Sequence, residues 1–289
     1  MCRYLFVLYI FIHITCIHSF AQEIACGKVY DASTRKPVSY AVVSTGATSV
    51  YCDSLGSFEI KNLSDEVVIV SCVGYETKRY KIKPNFCDTL LLSPVFQQLE
   101  PVTVGKYAWL KNPSVQIGKL NGRSKFAVNV ASGLTFLKYF SHPDTSKPYV
   151  IGSISVRVNQ SENSYEPRKV RVRIFEAKSD VEIGTDLLNA ADIFLIDKVV
   201  DNIATIYLNK FFVEMPKQGC FVGLEFIRSG FEGDDKYYPR FLSIKGWLSK
   251  SFEDGSVFTQ YFSNKFREYT FGASQKINLY CSLNVYESR

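Results

Sequence analysis

Histidine is nearly missing from this sequence. Three occur in 289 residues, and His13 and His18 lie within the first 21, which leaves His142 alone. That excludes any site built on two or more imidazoles, including the His-rich zinc sites of hydrolases. No two cysteines have CxxC spacing, so zinc ribbons and thioredoxin-like redox motifs are excluded as well. GxSxG, P-loop and GxGxxG patterns are absent, which leaves serine-hydrolase and nucleotide chemistry without an anchor. Beyond residue 21 no run reaches about 18 consecutive apolar residues, the length a spanning helix needs. No stretch holds a sustained helical period either.

What is present points to strands. Hydrophobic residues make up 46% of the chain, charged residues 21%, and the mean hydropathy is −0.02, a globular balance that can bury a real core. Phe 22 and Tyr 18 raise the aromatic share to 15%, and both residues favour pleated surfaces over helices. Arg3 precedes an apolar run from Tyr4 to Ile12, and Ser19-Phe20-Ala21 places small residues at the first and third positions. This order predicts a secretory signal over residues 1–21. Lipidation at Cys16 is the rival, but His13-Ile14-Thr15 fits a lipoprotein cleavage box poorly. The formal charge of +6 falls to +5 once Arg3 is removed, and the basic residues are spread along the chain. Lys169, Arg171 and Arg173 alternate with Val170, Val172 and Ile174, which reads as the solvated face of one strand; no nucleic-acid partner is expected.

Six cysteines follow the signal: Cys26, Cys52, Cys72, Cys87, Cys220 and Cys281. An exported chain permits disulfides. Cys220 shares strand phase with Val222, Leu224 and Phe226, and Cys281 with Leu283 and Val285, so both face a core, either paired or as two buried thiols. The spacing leaves the pairing open.

Residues 22–104 are punctuated at short intervals. Strands are predicted at 25–30, 38–45, 49–52, 57–60, 66–73, 75–82 and 86–92, with 66–73 apolar enough to be buried on both faces. Asp53-Ser54-Leu55-Gly56 is a tight turn before an inward Phe58, and Gly74 bends the chain before Tyr75, so Asp53, Gly56 and Gly74 are structural turn positions. Seven short strands at this spacing predict an antiparallel sandwich.

Four ordered motifs carry a resemblance: Gly27-Lys28-Val29-Tyr30-Asp31, Lys36-Pro37-Val38 with Ala41-Val42-Val43, Asp53-Ser54-Leu55-Gly56-Ser57-Phe58, and Ser71-Cys72-Val73-Gly74-Tyr75-Glu76-Thr77. Together they resemble the carboxypeptidase-like regulatory domain. The resemblance implies a transthyretin-like seven-stranded sandwich, and one that is not itself catalytic. The zinc peptidase domain that accompanies it in the name-giving enzymes has no counterpart motif here. Similar domains also precede TonB-dependent outer-membrane transporters. Gln97-Gln98-Leu99-Glu100-Pro101-Val102-Thr103-Val104 is similar to the segment that follows them there, but the remaining residues are too few for a plug and a large barrel. A short strand or linker is the preferred reading, with the boundary marked by Pro101 and Gly105.

Residues 105–123 then form a linker or first strand, and 124–289 a second β body. Strands are predicted at 125–131, 134–140, 149–158, 169–176, 191–199, 203–208, 220–227, 240–248, 257–262, 268–271 and 277–286. About ten strands with period-2 alternation suit a jelly-roll-like double sheet, and Asp254-Gly255 signals a hairpin. The stretch around Gly219-Cys220-Phe221-Val222-Gly223 vaguely resembles jelly-roll modules of exported bacterial proteins, many of which bind carbohydrate.

The chemistry on offer is sparse. Glu232, Asp234 and Asp235, with Glu253 and Asp254, supply the carboxylates a glycosidase would need, but both groups sit in Gly-containing turns where solvation is the plainer account. A calcium site in the same loop lacks EF-hand spacing. His142-Pro143-Asp144 lies in a Pro-rich loop whose restricted geometry explains it better than a catalytic triad. Among Tyr107, Trp109, Tyr237, Tyr238, Trp247, Tyr261 and Phe262, the mid-strand Trp247 reads as packing. Tyr237 and Tyr238, beside Asp234 and Asp235, form the candidate ligand-binding patch.

The sequence therefore predicts an all-β protein: an N-terminal seven-stranded transthyretin/Ig-like sandwich plus a C-terminal jelly-roll-like β-sandwich. The expected function is that of a non-enzymatic exported cell-envelope protein, an adaptor sandwich joined to a recognition module for glycan or envelope protein. No cofactor or metal is expected, and peripheral outer-membrane association is compatible with the pattern. The alternatives are a glycan-active hydrolase with paired carboxylates, and an accessory component of a TonB-dependent outer-membrane uptake system.

Overall fold

The computed structural model describes residues 24–45, 48–61, 67–83, 86–95, 110, 112, 114–122, 126–130, 132–159, 168–188, 192–196, 199–227, 243–262, 265–272 and 274–288. The signal, Cys16, the segment 97–104 and the patch Asp234, Asp235, Tyr237 and Tyr238 lie outside these residues. The described residues are all-β, and none forms a helix long and apolar enough to cross a membrane.

The first body holds β1 (Ile24–Asp31), β2 (Val42–Ser44), β3 (Ser49–Tyr51), β4 (Ser57–Lys61), β5 (Val67–Ser71), β6 (Lys78–Lys81) and β7 (Cys87–Leu92). One sheet runs β4-β1-β7, with β1 and β7 parallel, and the other runs β3-β2-β5-β6. Their inner faces close on Val29, Val43, Phe58, Ile60, Val68, Val70 and Leu92. A disulfide joins Cys26 to Cys87 directly across the β1–β7 register. Strand β5 corrects an expectation: Val68 and Val70 are buried, but on the other face Val67 is exposed and Ile69 and Ser71 are half-buried, so the strand is fully covered on one face only.

The motifs explain themselves here. Asp53 Oδ1 accepts the amides of Leu55 and Ser57, at 2.8 and 2.7 Å, which closes the turn. Gly56 has φ +73°, and a Cβ there would stand 2.5 Å from the Val29 carbonyl, so no other residue fits. Gly74 likewise has positive φ. Asp31 ties two motifs together: Oδ1 accepts the Ser33 and Thr34 amides, while Oδ2 accepts the Tyr75 hydroxyl at 3.0 Å.

The second body holds β8 (Ser114–Lys119), β9 (Ala127–Asn129), β10 (Leu134–Phe140), β11 (Tyr149–Asn159), β12 (Arg168–Ser179), β13 (Glu182–Asp186), β14 (Phe194–Ile196), β15 (Val199–Val200), β16 (Ile203–Tyr207), β17 (Val213–Glu214), β18 (Cys220–Ile227), β19 (Ser243–Ser249), β20 (Val257–Tyr261), β21 (Arg267–Glu268), β22 (Thr270–Phe271), β23 (Gln275–Leu279) and β24 (Cys281–Glu287). The smaller sheet runs β13-β12-β18-β10-β20-β21, with β14 on β12. The larger runs β15-β16-β11-β19-β23-β22, and β24 joins β11 to β8. Val172, Leu224, Phe136 and Val222 from one sheet meet Ile154, Val156, Leu283 and Val285 from the other.

Two further expectations are corrected. Asp254-Gly255 does not close a hairpin, because β19 and β20 lie in different sheets. The turn crosses between layers and is pinned by Lys138, whose Nζ is buried between the sheets. Lys138 donates to Asp254 Oδ2 at 2.5 Å and to the carbonyls of Leu279 and Cys281 on the facing sheet. The predicted strand 277–286 is interrupted at Tyr280, so its halves serve different neighbours: β23 pairs β19, and β24 pairs β11 and β8.

Candidate functional site

The smaller sheet's outer face is where the two bodies meet. Lys169, Arg171 and Arg173 were expected to face solvent, but Arg171 is only 2% exposed. Its Nη1 donates to Glu225 Oε1 at 3.0 Å, and Glu225 comes from the adjacent β18 at the same register. Arg173 bridges Glu225 Oε2 and Asp186, at 3.3 and 2.8 Å. Tyr51, at the end of β3 in the first body, donates its hydroxyl to Glu225 Oε1 at 2.8 Å. Tyr40, Val42 and Tyr51 pack with Ile227, Ile193 and Phe262 around this bond, and Lys169 lies over the Tyr40 ring. The alternation was read correctly as one face of a strand; what that face meets was not legible. Burial opposes ionisation of Glu225, but Arg171 and Arg173 outweigh it and hold the carboxyl below its ordinary range. Burial and the neighbouring carboxylate push the Tyr51 phenol up, so it stays a donor.

The larger sheet's outer face points away from this joint. Its centre is set by register. Tyr207, Ser153, Asn284 and Gln116 form one row across β16, β11, β24 and β8, and Thr205, Ser155, Ser282 and Gly118 form the next. The four strands span three spacings, roughly 14 Å. The floor is made of small side chains, and they satisfy one another. Ser155 and Thr205 hydroxyls lie 2.9 Å apart, and Gln116 Nε2 donates to Ser282 Oγ at 3.2 Å. Gly118, at φ +89°, lies so close to the Cys281 carbonyl that a Cβ would stand 2.6 Å from it. A Cβ there would also stand 2.8 Å from the Phe140 ring of the core, so this glycine serves the packing between the sheets.

The rim is taller. Tyr207 is 67% exposed, and Val200, opposite Ile203 at the other end of β16, is 69% exposed. The Tyr286 ring lies across Gly152, and its hydroxyl accepts from Asn284 Nδ2 at 3.1 Å. Arg157 closes the far side, with Nη1 donating to Asn121 Oδ1 at 2.9 Å. Beyond it Trp247 stacks on Tyr280, carries Lys119 over its face and donates to Glu253 at 3.0 Å. Trp247 is thus half-buried and engaged in packing against Tyr280. The uncharged residues of the floor gave no motif. Their signal was small polar residues in the solvent phase of three strands, Ser153 and Ser155 in β11, Thr205 in β16, and Ser282 and Asn284 in β24, which periodicity analysis counts only as polar.

The remaining candidates resolve individually. Asp254 is committed to Lys138 and Glu253 to Trp247, so these two carboxylates serve structural contacts. Asp144 Oδ1 accepts the Ser146 amide and hydroxyl, capping its own loop, and His142 packs edge-on against Tyr149. Cys220 and Cys281 are separate buried thiols; burial raises both, Cys281 to about 12. Among the described residues no group of three or more His, Cys, Asp or Glu could hold a metal ion.

Comparison with solved structures finds low-identity likenesses. A Bacteroides fragilis protein described as membrane-associated and of unknown function shares 13% identity, with 92% of this chain and 98% of that one covered and a TM-score of 0.21. A Bacteroides uniformis protein described as carbohydrate-binding shares 10% identity, covering 77% of this chain and 95% of that one, at a TM-score of 0.21. A variant of the major pilin subunit of Bacillus cereus shares 9% identity, covering 89% and 68%, at a TM-score of 0.20. No curated protein matches the chain. Residues 25–104 match the family described as the CarboxypepD_reg-like domain, over the stretch that carries the four sequence motifs.

Proposed function

We propose that this chain is a non-enzymatic, exported recognition protein of a Gram-negative cell envelope. In this reading residues 22–104 are the adaptor, residues 124–289 the recognition module, and the outer face of the larger sheet is the recognition surface. The observation that carries it is the division of labour between the module's two outer faces. One is sealed against the adaptor by a buried Tyr51–Glu225–Arg171 network. The other presents an uncharged floor, with Tyr207 and Val200 exposed at opposite ends of its β16 side. Exposed apolar groups beside oriented polar ones are the usual make-up of a binding surface. The disulfide between Cys26 and Cys87 accords with an oxidising compartment.

The test is retention from envelope extract by the immobilised chain, with Thr205→Arg as the comparison. Filling the trough with a long cation is expected to abolish retention of at least one sugar- or protein-containing component. Equal retention by both chains contradicts the assignment of the surface, and new reducing ends in the extract contradict the non-enzymatic reading.

A further inference from the structure

Resting on that reading, we infer that the trough on β16, β11, β24 and β8 binds an uncharged polysaccharide, one sugar ring of which lies against Tyr207. Three features point to this class. The groups that reach the surface of the floor are Ser155, Thr205, Asn284 and Gln116, with Ser153 and Ser282 buried beneath them, and none of the six carries a charge. Hydroxyls and amides both donate and accept, which matches the hydroxyls of a sugar better than the fixed polarity of a carboxylate or a phosphate. The four surface groups each have one partner already, in the pairs Ser155–Thr205, Gln116–Ser282 and Asn284–Tyr286. A hydroxyl with one partner keeps further donor or acceptor capacity, so ligand hydroxyls join the network without breaking it.

The rim supplies the apolar half. A pyranose presents C–H groups on its faces and hydroxyls around its edge. Tyr207 stands mostly exposed at the end of the row that holds Ser153, Asn284 and Gln116. A ring laid against it turns its hydroxyl edge toward those residues. The Tyr286 ring, lying across Gly152, bounds the same trough. Arg157 adds a fixed donor at the opposite side, where its guanidinium is already held by Asn121. A bound polypeptide would instead seek apolar pockets at the centre of the surface, and here the centre is hydroxyls.

Affinity electrophoresis of the exported chain tests this, with dextran, mannan and xyloglucan as neutral probes and polygalacturonate as the acidic one. The expected result is retardation by a neutral polysaccharide, weakened about tenfold or more by Tyr207→Ala and by Thr205→Arg. Tyr261→Ala, an exposed tyrosine on the other sheet, is expected to behave as wild type. Retardation by polygalacturonate alone, or neutral retardation indifferent to both trough variants, overturns the inference. Capture of an envelope protein that depends on Thr205, with no polysaccharide retarded, overturns the glycan while leaving the recognition surface standing. Absence of any Thr205-dependent binding overturns both.

Discussion

Replacing Glu225 by glutamine removes one charge from the joint between the two bodies and changes little in shape. Glu225 is the common partner of Arg171, Arg173 and Tyr51. Its side chain and that of Arg171 are 8% and 2% exposed, so water cannot replace what is lost. Breaking a buried, hydrogen-bonded pair costs about 3–5 kcal/mol. Arg173 retains Asp186 at 2.8 Å, and Gln can still accept from Tyr51, which favours the lower end, about 3 kcal/mol. Tyr51→Phe removes a hydrogen bond to a charged acceptor, worth about 1.5–3 kcal/mol, and keeps the ring against Phe262. Because Tyr51 and Glu225 belong to different bodies, a double-mutant cycle read by urea unfolding measures the joint itself. Coupling beyond the 0.3–0.5 kcal/mol scatter of independent sites, roughly 1 kcal/mol or more, is expected. A Glu225→Gln loss below about 1 kcal/mol, the level of an exposed pair, would refute the reasoning.

The other expectations are simpler. Glu225 has its pKa lowered in the folded state, so its stabilisation is full above the ordinary carboxylate range and is lost as pH falls through the lowered value. The gap between wild type and Glu225→Gln should therefore hold at about pH 5 and close only in stronger acid, as followed by unfolding at stepped pH. Cys26→Ser with Cys87→Ser opens a closure spanning 61 residues and should cost about 4 kcal/mol by chain entropy, read as a lowered urea midpoint. Iodoacetamide should leave native Cys52, Cys220 and Cys281 unlabelled, since burial raises all three thiols, and mass spectrometry should find them labelled only after denaturation. Gly56→Ala should destabilise by more than about 1 kcal/mol in a thermal melt, because the turn needs positive φ and the Val29 carbonyl occupies the space of a Cβ.

Local chemistry was legible wherever a residue's role is local. Asp53, Gly56 and Phe58 specify a turn and an inward ring in sequence, and the structure places them so. Strands such as 134–140 and 220–227 announced themselves through apolar phase. What failed was anything decided by a distant partner. Period-2 charge along β12 says that one face differs from the other, but not that Tyr51 and Glu225 will cover it. Val67 reads as buried because it is apolar, yet its end of that strand face is left open. The turn at Asp254 looked like a hairpin because turn residues carry no record of which sheet the chain enters next, and here Lys138 decides that. Likewise β8, within the stretch 105–123, is a strand chiefly through its pairing with β24. The trough was invisible because its residues are ordinary serines, threonines and amides, brought into rows by the register of four strands far apart in sequence.

Hydrogen exchange of the chain from residue 22 onward, with and without envelope extract, tests most directly whether the larger sheet's outer face is the recognition surface. The account predicts added protection in peptides covering β16, β11 and β24, with β6 of the adaptor unchanged. Protection confined to the adaptor, or none on those three strands in an extract that demonstrably binds the chain, would contradict it.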